Sequence, residues 1–217
     1  MSESIFSKTQ AIKFGWQRTK HNLIFFIVFC ATWFVIQTFS GLLQIVFNNS
    51  GQQFLYAVTY IASILIGVVI YILAIKVGLY LYDNEKIESP NILSFSFPEM
   101  YKIFLAYFLY SILVLIGLFL LVIPGIYWAI KYQFAMFLII DKNMGVIEAF
   151  KQSGRITQGA KWNLLLFLIF IILIMIAGAL ALLVGLFAAY PTVVIAVAYV
   201  YKKLSESYIK SSQQHVV

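Results

Sequence analysis

The sequence FLYAVTYIASILIGVVIYILAIKVGLYLY, residues 54–82, contains a single charge, at Lys76. A helix needs about 20 apolar residues to cross the hydrocarbon core of a bilayer. Similar stretches occupy most of this chain, which is 63% hydrophobic and 11% charged. A soluble domain carries roughly 25% charged residues. The composition therefore predicts a polytopic membrane protein of the all-α class, because helices satisfy their own backbone hydrogen bonds in lipid.

The apolar stretches occur in pairs that are joined by loops without charge. The predicted spans are 22–47, 54–82, 103–123, 125–140, 162–184 and 186–203. The fourth and sixth are short, and either could be re-entrant instead of crossing the bilayer completely. The pattern predicts a transmembrane helical bundle of about six spans, arranged as three hairpins with interfacial amphipathic helices, in a single membrane domain that covers residues 1–217.

The basic residues indicate the orientation. All Lys and Arg residues except Lys76 and Lys131 lie in four clusters at or beyond the ends of the predicted spans, and none lies in the loops within the pairs. By the positive-inside rule these clusters are cytoplasmic, so both termini are expected in the cytoplasm. The same rule explains the net charge of +7 without a nucleic-acid partner. The first twenty residues have no apolar signal-peptide region, so the first span is expected to remain uncleaved in the membrane.

Short matches suggest that the hairpins are repeats, with units at 5–82, 90–140 and 145–204. The tetrapeptide QAIK at 10–13 precedes the first span, as EAFK at 148–151 precedes the fifth. Each is followed by a small residue, an Arg and a Thr. Residues 4–20 and 146–157 are both predicted to be amphipathic helices on the cytoplasmic surface. Such a helix either binds anionic lipid of the inner leaflet or merely connects two spans against the bundle.

Seven basic residues are candidates for contact with a lipid headgroup or with a pathway through the bundle. Lys76 and Lys131 lie within spans, where a charge either extends to the interface or faces the interior of the bundle. The other candidates flank the amphipathic helices, namely Arg18, Lys20, Lys151, Arg155 and Lys161. No acidic residue lies inside a predicted span, which argues against a proton-coupled transporter.

One segment carries a family resemblance. It begins with VIPGIY at 122–127, continues through Lys131-Tyr132 and Asp141, and ends with Lys161-Trp162. This order of elements resembles a widespread prokaryotic group of uncharacterised integral membrane proteins, and the membrane domain fused to some glycerophosphodiester phosphodiesterases. The resemblance implies a multi-pass protein of the prokaryotic cytoplasmic membrane with no established activity. Pro124 and Gly125 are predicted to form a structural turn between the third and fourth spans.

The sequence offers little for catalysis. It contains His21, His215 and one cysteine, Cys30, and no phosphate-binding loop or catalytic triad pattern. No catalytic residue, metal ligand or cofactor is therefore expected, and the leading hypothesis is a non-enzymatic protein with a lipid-interacting or scaffold role. The alternatives are a small transporter or channel, or a membrane subunit of a complex whose partner carries the activity. Expected partners are anionic lipids and a second copy of the chain or other membrane proteins.

Overall fold

The computed structural model describes residues 6–88, 94, 96–181 and 185–214, and their regular secondary structure is helical throughout. The helices are α1 (Lys8–His21), α2 (Leu23–Asn49), α3 (Gln53–Asp83), α4 (Phe97–Leu120), α5 (Val122–Tyr132), α6 (Ala135–Lys142), α7 (Val146–Ile156), α8 (Lys161–Leu180) and α9 (Leu186–Gln214). The predicted all-α class is confirmed.

Within the described ranges, five segments are long and apolar enough to cross a membrane: α2, α3, α4, α8 and the combined segment Val122–Lys142 of α5 and α6. In α2, α3, α4 and α8, only 6% to 17% of the most apolar stretch of 18 residues is buried inside the protein, so most of these side chains lie at the surface. This arrangement suits a solvent of lipid, in which exposed apolar surface carries no penalty. The prediction of a membrane helical bundle is confirmed.

The predicted sixth span, 186–203, lies in α9, which is not among these five segments. Helix α9 instead packs against α1 and α3, and it buries Ile195, Ala198, Val200 and Tyr201. A helix whose apolar side is covered by protein has less surface to offer to lipid. The total of six spans stays a prediction.

The predicted turn at Pro124 and Gly125 is wrong in its position. The chain reverses three residues earlier, at Leu121, whose extended backbone separates α4 from α5. Pro124 lies in the first turn of α5, where a missing N–H costs nothing because those amides have no helical acceptor. Gly125 serves a packing role, because a Cβ atom at Gly117 of α4 would lie 2.7 Å from its Cα atom. The two glycines let the hairpin helices approach closely.

Both predicted amphipathic helices are present, and both pack against the bundle. Helix α1 buries Ala11, Gly15 and Thr19 against α9, while Trp16 on another face remains exposed. The Thr19 hydroxyl donates a 2.9 Å hydrogen bond to the Gly15 carbonyl. The matching pair in α7 behaves in the same way: the Thr157 hydroxyl donates to the Ser153 carbonyl at 2.8 Å. The parallel agrees with the predicted repeats 5–82, 90–140 and 145–204, which stay a prediction; residues 89–93, 95 and 182–184 lie outside the described residues.

Polar contacts join the helices where the apolar segments end. The Asp141 carboxylate lies 2.7 Å from Lys202 Nζ and accepts a 2.8 Å hydrogen bond from the Tyr201 hydroxyl, which links α6 to α9. Lys76 Nζ lies 2.9 Å from the Glu99 carboxylate and donates to the Ser94 carbonyl at 2.7 Å, which links α3 to the start of α4. Both partners of each ion pair are mostly shielded from solvent, so loss of either one would leave an uncompensated charge.

Candidate functional site: a basic groove between α5 and α7

The candidate site begins at an interruption in the fourth apolar segment. Helix α5 ends at Tyr132 and α6 begins at Ala135, so the backbone between them loses helical hydrogen bonds. Interrupted helices in membranes are tolerated where neighbouring side chains satisfy the freed backbone groups. Here the neighbour is α7, which lies against both short helices.

Ser153 of α7 satisfies the backbone on both sides of the interruption. Its hydroxyl donates a 2.9 Å hydrogen bond to the Lys131 carbonyl and accepts one of 3.3 Å from the amide of Phe134. Thr157 Oγ1 lies 3.3 Å from the same carbonyl. Ser153, Thr157 and Phe134 are buried, so these groups have no access to water as a substitute partner. The contacts fix the position of α7 relative to Lys131.

A groove of about 690 Å³ lies beside this junction. Four basic side chains line it: Lys131, Lys151, Arg155 and Lys161. The other described residues that line the groove carry no charge: Leu109, Leu113, Tyr127, Tyr132, Ile147, Phe150, Gly154 and Gln158. No acidic residue belongs to this described lining, so the positive charge of the groove has no protein counter-charge within it.

The side chain of Lys131 lies along α7 and into the groove. Its Nζ atom lies 5.0 Å from the centroid of the Tyr132 ring, within the range of a cation–π contact. Its stem passes over Gly154, where a Cβ atom would lie 3.0 Å from Lys131 Cε. Gly154 therefore leaves the room that Lys131 occupies. Across the part of the chain that the structure describes, Lys131 forms no ion pair.

Lys161 marks the other end of the groove. It is the first residue of α8, and its Nζ atom donates a 2.5 Å hydrogen bond to the Tyr127 hydroxyl while lying 4.2 Å from the centroid of that ring. The neighbouring Trp162 is 79% exposed, as expected for an aromatic side chain at a membrane surface. The groove thus extends from the end of an apolar helix to Lys131, which lies between the ends of the segment Val122–Lys142.

The structure brings together four of the seven basic candidates and separates the other three. Lys76 of α3 forms an ion pair with Glu99 of α4, away from the groove. Arg18 lies on α1, with Nη1 3.4 Å from the Glu85 carboxylate. Lys20, also on α1, has its Nζ atom 5.2 Å from the centroid of the Trp16 ring.

Tyr127 and Tyr132 belong to the segment that carries the family resemblance, but no sequence pattern marks an uncharged residue as part of a binding site. Tyr127 and Lys161 are distant in sequence, and no periodic pattern relates them. Ser153 and Thr157 did carry a usable signal, since residues four apart share a helix face and both are small and polar within a helix that buries Phe150. Their acceptor, the Lys131 carbonyl, becomes available only because the fourth segment is interrupted.

Comparison with known proteins adds no assignment. No family model matches the chain, and no solved structure matches it. Among the described residues, no group of three His, Cys, Asp or Glu side chains could hold a metal ion. The groove is therefore interpreted from its own geometry and charge.

Proposed function

We propose that this chain is an integral membrane protein with a lipid-interacting or scaffold role, and that it binds the headgroup of an anionic lipid in the groove between α5 and α7. The observation that carries the proposal is the convergence of Lys131, Lys151, Arg155 and Lys161 on one groove without an acidic residue in its described lining. Phosphate oxygens accept charge-assisted hydrogen bonds from Lys and Arg side chains, and the Arg fork can bind two oxygens at once.

The uncharged wall supports a lipid ligand over a soluble anion. Leu109 and Leu113 of α4 line the groove beside the basic residues. Aliphatic side chains offer nothing to a free phosphate ion, but they give the acyl chains of a lipid a surface to follow. A groove lined by both cations and leucines matches a molecule that has a charged part and an aliphatic part.

The proposed location is the inner leaflet of a prokaryotic cytoplasmic membrane, with both chain termini in the cytoplasm. The distribution of Lys and Arg supports this orientation through the positive-inside rule. The anionic cytoplasmic leaflet attracts nearby basic residues by about 1 kcal/mol each, and salt screens the attraction. The role proposed is non-enzymatic, and resemblance to the membrane domain of certain phosphodiesterases is consistent with it.

A second candidate is a small transporter or channel for anions. The position of Lys131 between the ends of the segment Val122–Lys142 favours it, since charges within spans often lie on ion pathways. The site of a transporter must be accessible from both sides of the membrane. A headgroup site needs only one opening, at the interface. Uptake of phosphate by vesicles containing the purified protein distinguishes the two.

Native mass spectrometry of the purified protein tests the leading proposal. The parent should retain phosphatidylglycerol in preference to phosphatidylcholine, and Lys151→Gln/Arg155→Gln should lose about tenfold or more of that preference, at about 1 kcal/mol per basic residue. The matched control is Lys13→Gln/Lys20→Gln, which removes the same charge from α1, outside the groove. Equal losses in the two double variants would show attraction to total charge and would contradict a site.

A further inference from the structure

A second cavity, of about 800 Å³, lies within the apolar part of the bundle and is separate from the basic groove. Five helices contribute to its wall, through residues that include Gln37 of α2, Gly67 and Tyr71 of α3, Tyr107 of α4, Met175 of α8 and Tyr190 of α9. Phe34 and Ile64, at its rim, are 63% and 43% exposed. The cavity is therefore open to the surface that faces the lipid chains.

The wall combines an apolar surface with polar groups that lack partners. Gln37 lies near the middle of α2, and in the described ranges its amide forms no hydrogen bond. The hydroxyls of Tyr71, Tyr107 and Tyr190 likewise form none with any described residue. Tyr107 and Tyr190 are 51% and 36% exposed, so a molecule that enters the cavity from the lipid can reach their hydroxyls and provide hydrogen bonds that lipid chains do not.

The chemistry of the wall restricts what that partner can be. No charged residue belongs to the described lining, which excludes recognition of a phosphate or an ammonium group. A bulk phospholipid keeps its charged headgroup at the interface, because moving it to the depth of Gln37 costs far more than moving a hydroxyl. A neutral lipid with a hydroxyl or ester carbonyl and aliphatic chains can enter from the side and meet both the amide and the apolar wall.

We propose that this cavity binds a neutral lipid of the diacylglycerol type, with its hydroxyl or carbonyl oxygens hydrogen-bonded to Gln37 and the tyrosine hydroxyls. Gly67 leaves space for the chains, because a Cβ atom there would meet only Trp33 Cη2, at 3.8 Å. The proposal is independent of the basic groove, which recognises negative charge and lies between other helices.

Photo-crosslinking in phosphatidylcholine nanodiscs tests this site. The probe is a diacylglycerol with a diazirine in one acyl chain, and the comparison probe is phosphatidylcholine with the same chain. In the parent, the diacylglycerol should label peptides from the cavity wall, and the phosphatidylcholine should label mainly the outer surface. Gly67→Phe should fill the cavity and abolish the labelling. Gly41→Phe is the matched control, since a Cβ atom at Gly41 has no neighbour within 4 Å and Gly41 does not line the cavity.

Gln37→Leu isolates the polar contact and keeps the size of the side chain. It should fold at least as well as the parent, because it removes an amide from an apolar region. Loss of one hydrogen bond should weaken diacylglycerol binding roughly threefold to tenfold. Unchanged binding in Gln37→Leu, equal labelling in the parent and Gly67→Phe, or equal labelling of the wall by both probes would each overturn the proposal.

Discussion

The hydroxyl of Ser153 in α7 donates a 2.9 Å hydrogen bond to the backbone carbonyl of Lys131 in α5. This contact joins the interrupted apolar segment to the helix that carries Lys151 and Arg155. The carbonyl is available because α5 stops at Tyr132, one residue later. The interruption therefore creates the backbone acceptor and allows α7 to bring its basic residues beside Lys131.

Ser153→Ala should destabilise the protein by about 1–3 kcal/mol, because it leaves the buried Phe134 amide without its partner and the Lys131 carbonyl with only the longer 3.3 Å contact from Thr157. It should also weaken retention of phosphatidylglycerol, since α7 loses its connection to α5. Thermal unfolding in detergent measures the first effect, and native mass spectrometry measures the second. Ser211→Ala is the control, because Ser211 is exposed near the end of α9 and, among the described residues, its hydroxyl bonds only to the Tyr208 carbonyl of the same helix. Equal melting temperatures for the parent and both variants would contradict the role assigned to Ser153.

Gly154→Ala should move Lys131 without unfolding the protein. The added Cβ atom would lie 3.0 Å from Lys131 Cε, the far end of a flexible side chain that can shift. The expected result is a roughly fivefold loss of phosphatidylglycerol affinity, of the order of one basic residue's contribution, with a melting temperature close to that of the parent. Gly145→Ala, where the Cβ atom has no neighbour within 4 Å, should keep the affinity. Identical affinities in both variants would show that the position of Lys131 does not matter.

Replacement by Met should lower the stability of the protein at Lys76 but not at Lys131. Lys76→Met leaves the mostly buried Glu99 without its 2.9 Å partner and should cost about 1–3 kcal/mol of stability. Adding Glu99→Gln should recover most of that loss. Lys131→Met breaks no ion pair among the described residues and removes a charge that costs roughly 2.5–3.5 kcal/mol at depth, so it should be neutral or stabilising.

Chemical unfolding of these variants and of the single variant Glu99→Gln, with the parent as reference, measures this contrast. The Lys76 and Glu99 changes form a thermodynamic cycle whose coupling should be clearly non-zero. Destabilisation by Lys131→Met as large as that by Lys76→Met would show that Lys131 has a structural partner, and it would then be removed from the binding site.

The topology predicts which positions a membrane-impermeant thiol reagent can reach in cells. In a chain with Cys30 replaced by Ala, single cysteines at Asn49 and Ala188 should react from outside, because Asn49 lies at the uncharged end of α2 and Ala188 at the uncharged start of α9. Cysteines at Ser2 and Ser212 should react only after permeabilisation, because the proposed orientation places both termini in the cytoplasm. Labelling of a cysteine at residue 143 from outside would overturn the orientation of the third and fourth spans.

Much of the fold could be predicted because membrane helices are encoded by long apolar stretches. The first, second, third and fifth predicted spans lie on α2, α3, α4 and α8, since lipid as a solvent rewards apolar length regardless of tertiary contacts. The turn at Pro124 and Gly125 was misplaced because both residues also suit the first turn of a helix. The choice between these uses depends on the contact of Gly125 with Gly117, which sequence alone does not reveal.

The groove could be predicted only in part. Charge within or beside apolar stretches singled out Lys131, Lys151, Arg155 and Lys161, which do line one groove. The same criterion also selected Lys76, whose partner Glu99 lies at the start of another helix and outside any predicted span. The interruption of the fourth segment was missed because no Pro or Gly lies at residues 133–134, and the contacts that satisfy the freed backbone come from Ser153 in another helix.

Photo-crosslinking with phosphatidylglycerol that carries a diazirine in its headgroup tests the central claim most directly. In nanodiscs, the adducts mapped by mass spectrometry should concentrate on the peptides that contain Tyr127, Lys131 and α7, and Lys151→Gln/Arg155→Gln should lose them while Lys13→Gln/Lys20→Gln keeps them. Adducts spread evenly over all basic clusters, or concentrated on α1 in the parent, would contradict a headgroup site between α5 and α7.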